Sequence, residues 1–280
     1  MNRRTFNHLA SLSVLGALTS PANLAAQTKP VPQSGVREPD PIDFEDHEGF
    51  VPIFDGRTLD LWDGNPEIWK VEDGTIVGIS TREKPSGNTF IVYHGAHARD
   101  FDLKLEIKVE HGGGSGVQYR SHTGYPPPGG SGWRGNPGGP LAPPPRAEWT
   151  MLGPQADFWY PVNSDAASYT GQLYSQNTGR GILAWRGQVV NSLPGKTPRL
   201  VGNIGDRTAL GSCVRVGDWN QYNIVVRGGT FIHILNGQLM AVLIDDDPRS
   251  SNNADGLFGL QIEGCPSKVS FRNLWLKKIT

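Results

Sequence analysis

The feature that most constrains this chain is a set of alternating apolar and polar runs joined by two-residue turns. Trp69–Gly78 consists of two such runs around Asp73-Gly74. Residues 227–244 contain two further turns, at Gly228-Gly229 and Asn236-Gly237. Dipeptides of this kind between alternating runs are the strongest short-range signal for a β-hairpin. The sequence therefore predicts antiparallel strands.

Alternation predicts more strands along the chain, at Phe101–Glu110, Tyr222–Val226, Leu257–Glu263 and Val269–Leu276. No long stretch carries a convincing helical stripe, and 36 glycines and 22 prolines among 280 residues indicate many turns. Many short strands with tight turns are typical of sandwiches and barrels. We expect an all-β fold in which two antiparallel sheets form one large sandwich.

The N-terminal region is expected to lie outside this domain. Residues 1–26 combine Arg3-Arg4, an apolar stretch and Ala25-Ala26, as bacterial export signals do. The paired arginines resemble a twin-arginine signal, and an ordinary secretory signal with two chance arginines is the alternative. Residues 27–46 are proline-rich and are interpreted as a linker. This leaves one domain over 47–280, acting in the periplasm or outside the cell.

Charge and composition narrow the partners. The formal net charge of −1 comes from scattered charges without a basic stripe, which argues against a nucleic-acid partner. No apolar run reaches the roughly 18 residues of a membrane span. Cys213 and Cys265 could form a disulfide in an exported protein or could be two small buried residues. The oligomeric state stays open.

Two polar segments are the best candidates for a site: Ser115–Ser121 and Gly153–Phe158. In a strand, residues two apart share a face, so Gln118 and Arg120 are expected to point one way. Gln155 and Asp157 are expected to do the same on their own strand. If both strands join one sheet with these faces together, the cluster can hold a hydroxylated ligand and move a proton.

Each charged candidate has a structural alternative. Asp157 is interpreted as a general base or a ligand for a divalent metal ion, or else as an exposed carboxylate paired with an arginine. Arg120 is interpreted as a group that binds a sugar or an enolate oxygen, or else as half of a structural ion pair. Glu263 shares a strand face with Gln261 and is either a second acid or a solvated side chain. No cofactor is assigned beyond the divalent metal ion that Asp157 could bind.

A long loop between the two polar segments is rich in proline and glycine, near residues 122–148. Irregular loops of this length are usually functional, and we expect it to form a rim of the site. Trp133 and Trp159 are predicted to stack on sugar rings, because an indole offers a flat apolar face and a polar edge. About half of the aromatic residues in and near this loop are expected to pack structurally instead.

A series of segments in register resembles the domain of unknown function 1080 group, also called the 3-keto-disaccharide hydrolase family. The segments that carry the resemblance are Gly49–Trp62, Trp69–Gly74, Phe101–Ile107, Ser115–Ser121, Gly153–Asp157, Thr170–Tyr174, Asp218–Ile224, Leu235–Leu239, Gly259–Gly264 and Phe271–Leu274. Together they cover essentially all of 47–280. Members often read Gly-Tyr-Glu-x-Gln where this chain has Gly153-Pro-Gln-Ala-Asp157, so the acid lies at 157 instead of 155.

The resemblance implies a concanavalin A-like jelly-roll sandwich whose concave sheet carries the sugar. It also implies activity on glycosides already oxidised at C3. Gln118, Gln155, Tyr174 and Gln261, in the matching segments, are assigned to substrate binding. We therefore expect an exported hydrolase or lyase that cleaves 3-keto-glycosides or a related oxidised sugar. The alternative is a lectin-like binding module on the same fold, because one fold serves many functions.

Overall fold

The predicted hairpins are present in the computed structural model, which describes residues 39–41, 43–125, 146–248 and 250–279. Asp73-Gly74 and Asn236-Gly237 form turns in which both residues have positive φ, as a type I′ turn requires. The pairs of strands that they connect are antiparallel. The turn at Gly228-Gly229 connects a third antiparallel pair.

The described part of the chain is dominated by β-strands. The strands are β1 (Val51–Pro52), β2 (Trp62–Gly64), β3 (Trp69–Glu72), β4 (Thr75–Ser80), β5 (Asn88–Ala98), β6 (Phe101–Glu110), β7 (Gly114–Thr123), β8 (Met151–Trp159), β9 (Leu173–Gln176), β10 (Gly181–Ala184), β11 (Gln188–Ser192), β12 (Arg199–Asn203), β13 (Asn220–Arg227), β14 (Thr230–Leu235), β15 (Gln238–Asp245), β16 (Gly256–Glu263) and β17 (Ser267–Lys278). Two short helices, α1 (Ser164–Tyr169) and α2 (Arg207–Leu210), accompany 3-10 turns at Ala147–Trp149, Gly211–Cys213 and Ser251–Asn253.

These strands form two sheets. One has ten strands, in the order β12-β11-β15-β14-β13-β6-β17-β4-β3 with β1 added beside β17. The other has seven, in the order β10-β9-β8-β7-β16-β5-β2. The pairs are antiparallel except β11 with β15, which is parallel. The all-β sandwich expected from the sequence is confirmed.

The core lies between the two sheets, and alternation decides which side chains enter it. On β6 the alternate residues from Phe101 to Val109 are buried in one large apolar cluster. On the seven-stranded sheet, Val117, Phe158 and Leu260 contribute to the same cluster. The residues that alternate with these core residues along β7, β8 and β16 therefore face away from the core. This second face of the smaller sheet carries the polar residues.

The compact unit spans Ile42–Thr280. Lys104, on the ten-stranded sheet, donates to the carbonyl oxygens of Asp43, Phe44 and Asp46 at 2.9, 3.3 and 2.5 Å. Residues 43–46, assigned to the linker from sequence, thus contact the sheet. The two thiols, Cys213 and Cys265, are free and partly buried.

Candidate functional site

A cleft of about 240 Å³ lies on the polar face of the seven-stranded sheet. It is lined by side chains from five strands, from α1 and from the loop that follows it: Asn88, Gln155, Asp157, Trp159, Tyr169, Gln172, Tyr174, Gln176, Ile182, Gln261 and Glu263. Amides, carboxyl groups and aromatic rings make up nearly all of this lining. These groups are suited to a hydroxylated ligand such as a sugar.

Two glycines of β7 form the floor of the cleft. Strand β7 lies between β8 and β16, so that Gly116 pairs with Asp157 and Gly114 pairs with both Trp159 and Glu263. Because Gly114 and Gly116 carry no side chains, those of the flanking strands rise as two walls. Because neighbouring strands are about 4.8 Å apart, Asp157 and Glu263 project from backbones on the order of 10 Å apart.

A chain of side-chain amides crosses this floor. Gln155 donates through Nε2 to Oε1 of Gln261 at 2.7 Å. Gln261 in turn donates through Nε2 to Asn88 Oδ1 at 2.9 Å and to Glu263 Oε2 at 3.4 Å. A Cβ at Gly116 would lie 2.7 Å from Cδ of Gln155, so the amide bridge requires glycine below it. The bridge fixes the directions in which the amides can bind hydroxyl groups.

Asp157 is deeply buried, with 4% of its surface exposed. Its Oδ2 accepts a hydrogen bond of 2.6 Å from Gln172 Nε2. Burial raises the pKa of Asp157 well above its usual range, the charge of Glu263 raises it further, and the Gln172 hydrogen bond acts against both. No lysine or arginine of the described residues forms an ion pair with Asp157, so no cation offsets this rise of the pKa.

Glu263 lies on the opposite wall and is partly exposed. Burial raises its pKa to about 7. Its hydrogen-bond donor, Gln261, is neutral and 3.4 Å away, too weak a contact to offset the desolvation. Glu263 can therefore gain or lose a proton near neutral pH. The cleft thus combines two carboxyl groups with raised pKa, as general acid–base chemistry requires.

Aromatic rings border the cleft. Trp159 and Tyr169 pack edge to face with ring centroids 5.4 Å apart. Tyr169 is the last residue of α1, a helix capped by Asn163 Oδ1, which accepts from the Ala166 N–H at 2.8 Å. Tyr174 also lines the cleft, beside Gln155 on the next strand. Such rings stack well on the apolar faces of sugars.

A buried histidine fixes Gln172 from behind the sheet. His233 contacts the Gln172 carbonyl oxygen through Nδ1 at 3.2 Å and the Tyr119 hydroxyl through Nε2 at 2.7 Å. Burial lowers the pKa of His233 to about 4, so the ring is neutral at physiological pH. A carbonyl oxygen can only accept, so Nδ1 carries the proton and Nε2 accepts from Tyr119. This arrangement holds the main chain that presents Gln172 to Asp157.

Arg120 does not join the cleft, and the prediction that it shares a face with Gln118 is wrong. The pairing of β7 with β8 shifts between Gln118 and His122, and Arg120 has a positive φ of 46°. Such a β-bulge adds a residue to one strand and reverses the alternation beyond it. Arg120 instead donates to the Arg99 carbonyl oxygen, to Asp100 Oδ1 at 2.9 Å and to the Asn252 carbonyl oxygen at 3.1 Å.

Arg120 Nη1 also donates to Asn253 Oδ1 at 3.5 Å, and we call Arg120, Asp100, Asn252 and Asn253 the Arg120 cluster. The side chain of Arg120 is fully buried, and its ion pair with Asp100 corresponds to the structural alternative stated for this residue. Its guanidinium also lies 5.0 Å from the ring centroid of Phe231. A catalytic role for Arg120 is therefore not retained.

Most of the other predicted site residues line the cleft. Gln155, Asp157, Trp159, Tyr174, Gln261 and Glu263 all line the cleft. Gln118 lies on the same sheet face beside Gln155 but is fully buried outside the lining, where its Oε1 accepts from Ser121 Oγ at 2.9 Å. Trp133 and most of the loop near 122–148 lie outside the described residues.

Sequence reasoning missed several lining residues, among them Gln172, Asn88 and Tyr169. Gln172 precedes Tyr174 by two, so strand alternation from Tyr174 would have found it. Asn88 pairs with Glu263 across β5 and β16, a register that alternation alone does not reveal. Tyr169 lies on a short helix that carries no clear periodic pattern.

The architecture is that of the concanavalin A-like jelly-roll sandwiches, with a cleft of polar and aromatic side chains on one sheet. Residues 49–277 match the sequence profile of the 3-keto-alpha-glucoside-1,2-lyase-like domain. The match covers most of the chain, and the chain belongs to this family.

Individual relatives are more distant. A 3-keto-disaccharide hydrolase of Bacteroides thetaiotaomicron is 35% identical over 81 residues, which make up 26% of this chain and 28% of that protein. The match thus spans little more than a quarter of the relative's length. A crystal structure of a putative glycosyl hydrolase from Parabacteroides distasonis has a TM-score of 0.50 and 16% identity, covering 82% of this chain and 99% of its own. A second from the same species has a TM-score of 0.47 and 19% identity, covering 83% and 95%.

The described residues contain no group of three or more histidine, cysteine, aspartate or glutamate side chains arranged to hold a metal ion. In the same residues, no helix has the length and apolar character needed to cross a membrane.

Proposed function

We propose that this protein is an exported enzyme that cleaves 3-keto-glycosides or a related oxidised sugar. Its family membership and the name of its Bacteroides relative support this proposal. The observation that carries it is the pair of carboxyl groups with raised pKa, Asp157 and Glu263, on opposite walls of one cleft.

The proposed chemistry begins with removal of the C2 hydrogen as a proton. A ketone at C3 makes this hydrogen acidic, because the carbanion is delocalised as an enolate. The electron pair then forms a C1–C2 double bond while the C1–O bond breaks, and the leaving oxygen takes a proton. Addition of water across the double bond, with OH at C1 and H at C2, completes a net hydrolysis. These steps need a base, a proton donor and groups that hold the sugar.

Glu263 is the better base of the two carboxyl groups. Its pKa of about 7 leaves a substantial carboxylate fraction at neutral pH while preserving proton affinity. Asp157, expected from sequence to be the base, is suited to be the proton donor, because burial raises its pKa well above the usual range and so favours the protonated form. The Asp157 carboxylate left after elimination can then take a proton from the attacking water. The Gln155–Gln261 amide bridge would orient the sugar hydroxyls.

The test is to incubate the mature protein with a 3-keto-disaccharide and with its unoxidised parent, with and without divalent metal ions. We expect monosaccharide release from the oxidised sugar only. In D₂O, NMR should show exchange of the C2 hydrogen by wild type, none by Glu263→Gln, and exchange with slow cleavage by Asp157→Asn. Wild type that releases no sugar under any condition would overturn the hydrolase proposal. Sugar binding without turnover would instead support a lectin-like module.

Export is a separate proposal that rests on residues 1–26, which lie outside the described residues. Arg3-Arg4 before an apolar stretch supports a twin-arginine route. Replacement of both arginines by lysine should leave the precursor in the cytoplasm of a bacterial host, as fractionation and immunoblotting would show. Unchanged export of the double-lysine variant would point to the ordinary secretory route, and retention of the wild type in the cytoplasm would contradict export.

A further inference from the structure

A second cavity, of about 260 Å³, lies on the other side of Trp159. Trp159 lines both this cavity and the cleft. Helix α1 also lies between them, because Tyr169 faces the cleft while Ala167 and Ser168 face the second cavity. The second cavity is smaller than the 300 Å³ or more of a typical drug-sized pocket, so it suits a single ring.

One wall of this cavity holds a buried arginine, Arg186, with 4% of its surface exposed. A guanidinium has five N–H donors. Nε donates to the Arg207 carbonyl oxygen at 2.7 Å, and Nη1 donates to those of Ala167 and Thr170 at 3.0 Å each. Three donors are thus used, and the two on Nη2 have no acceptor within the described part of the chain.

The charge of Arg186 is not neutralised by these contacts. Its three acceptors are uncharged carbonyl groups, and none of the described carboxylates forms an ion pair with it. The nearby Asp206 carboxylate caps α2 by accepting from the N–H groups of Thr208 and Ala209. Burial lowers the pKa of Arg186, as expected for a cation removed from water. Buried cations normally have a partner of opposite charge, and no described side chain forms an ion pair with Arg186.

Gly211 gives access to Nη2. A Cβ at this position would lie 2.7 Å from Arg186 Nη2. Gly211 has φ of −66°, in the ordinary right-handed region, so the backbone does not require glycine here. The missing side chain leaves space in front of the two unused donors.

We propose that this cavity binds the carboxylate of a ring-sized organic acid through Arg186 Nη2. Carboxylate oxygens are the strongest acceptors for a guanidinium. The apolar body of the ligand would contact Pro161, Val214 and Val216, which also line the cavity. The acid is either the aglycone of a substrate held across Trp159 or a free molecule. The aglycone case rests on the function proposed above, whereas the binding site does not.

The direct test compares 4-hydroxybenzoate with its uncharged isostere 4-hydroxybenzamide by calorimetry on the full mature protein. We expect wild type to bind the carboxylate about tenfold or more tightly than the amide. The reason is that a hydrogen bond to a charged acceptor stabilises a complex more than one to a neutral acceptor, by about this factor in affinity. Gly211→Ala, which places a methyl group against Nη2, should remove the preference. Gly205→Ala is the matched control, since the atoms nearest to its Cβ would be those of the Leu210 side chain, at 3.4 Å or more. Equal binding of the two probes by wild type overturns the proposal without any variant.

The source of the acid is decided with 3-keto-glycosides that carry a 4-carboxyphenyl or a 4-carbamoylphenyl aglycone. A higher kcat/KM for the acidic aglycone, lost in Gly211→Ala, assigns the cavity to the aglycone. Carboxylate binding with equal kcat/KM for both substrates assigns it to a free acid. If wild type binds 4-hydroxybenzoate but cleaves neither glycoside, the proposed function fails and the site stands. If it cleaves both and binds no carboxylate, the site fails.

Discussion

The cleft and the Arg120 cluster are both buried polar regions at the seven-stranded sheet. They differ in whether their charged groups have a partner of opposite charge. In the Arg120 cluster, the cation forms an ion pair with Asp100 and donates to backbone oxygens. In the cleft, Asp157 and Glu263 receive hydrogen bonds from neutral amides and, among the described residues, from no cation. The first arrangement stabilises a fixed charge, whereas the second leaves two carboxyl groups able to exchange protons.

This difference teaches how to separate a structural polar cluster from a reactive one. When one partner of a buried ion pair is removed, the other is left buried and unpaired, and the stability of the fold decreases. An unpaired carboxyl group that is replaced by its amide removes a desolvation cost, so stability is kept while proton transfer is lost. The two regions should therefore respond to substitution in opposite ways, and four experiments test this contrast.

The largest effect is expected for Glu263→Gln. Loss of a general base typically reduces the rate about 10²- to 10⁴-fold, and kcat/KM for a 3-keto-disaccharide should fall within this range. Wild-type kcat/KM should rise with pH through about 7, the pKa of Glu263, because the carboxylate is the active form. The variant should lose this dependence. Glu72→Gln, on an exposed hairpin and paired with Lys70, is the control that should retain activity. A variant with wild-type kcat/KM would show that Glu263 is not the base.

Arg120→Met should lower the stability of the fold and leave kcat unchanged. Removal of one partner from a buried pair costs about 3–5 kcal/mol, and the partial exposure of Asp100 places the expected loss near the lower end. Urea denaturation should show the reduced free energy of unfolding, while the remaining folded protein keeps its kcat. Arg82→Met, at an exposed position, is the control with little effect. A large loss of kcat with unchanged stability would support a catalytic role for Arg120.

The contrast also shows what the sequence could and could not predict. The strand Phe101–Glu110 and the three hairpin turns follow from local alternation and turn chemistry, and they are confirmed. The same rule predicts that Gln155 shares a strand face with Asp157 and that Gln261 shares one with Glu263, whereas their meeting in one cleft depends on the order of the strands in the sheet. Arg120 does not follow this rule, because the bulge in β7 depends on its pairing with neighbouring strands. The raised pKa of Glu263 depends on burial by distant residues, which no local pattern contains.

A smaller effect is expected for Gly116→Ala, which tests the floor of the cleft. The added Cβ would lie 2.7 Å from Gln155 Cδ and would displace the amide bridge. Overpacking of this kind costs about 1–3 kcal/mol, and the displaced amides should raise KM more than they lower kcat. Gly202→Ala on β12 is the matched control, since its Cβ would meet Val189 at 3.3 Å. Steady-state kinetics with unchanged KM would show that the bridge does not contact the sugar.

The smallest effect concerns the pH dependence of stability. In the unfolded chain Glu263 releases its proton near 4.5, and in the folded protein near 7. Between these values the folded state binds more protons, so the contribution of Glu263 to stability falls as the pH rises. The melting temperature of wild type relative to Glu263→Gln should therefore decrease by a few degrees from pH 4.5 to pH 7. Parallel melting curves across this range would mean that Glu263 is solvated, and the cleft would then differ less from an ordinary surface than its geometry indicates.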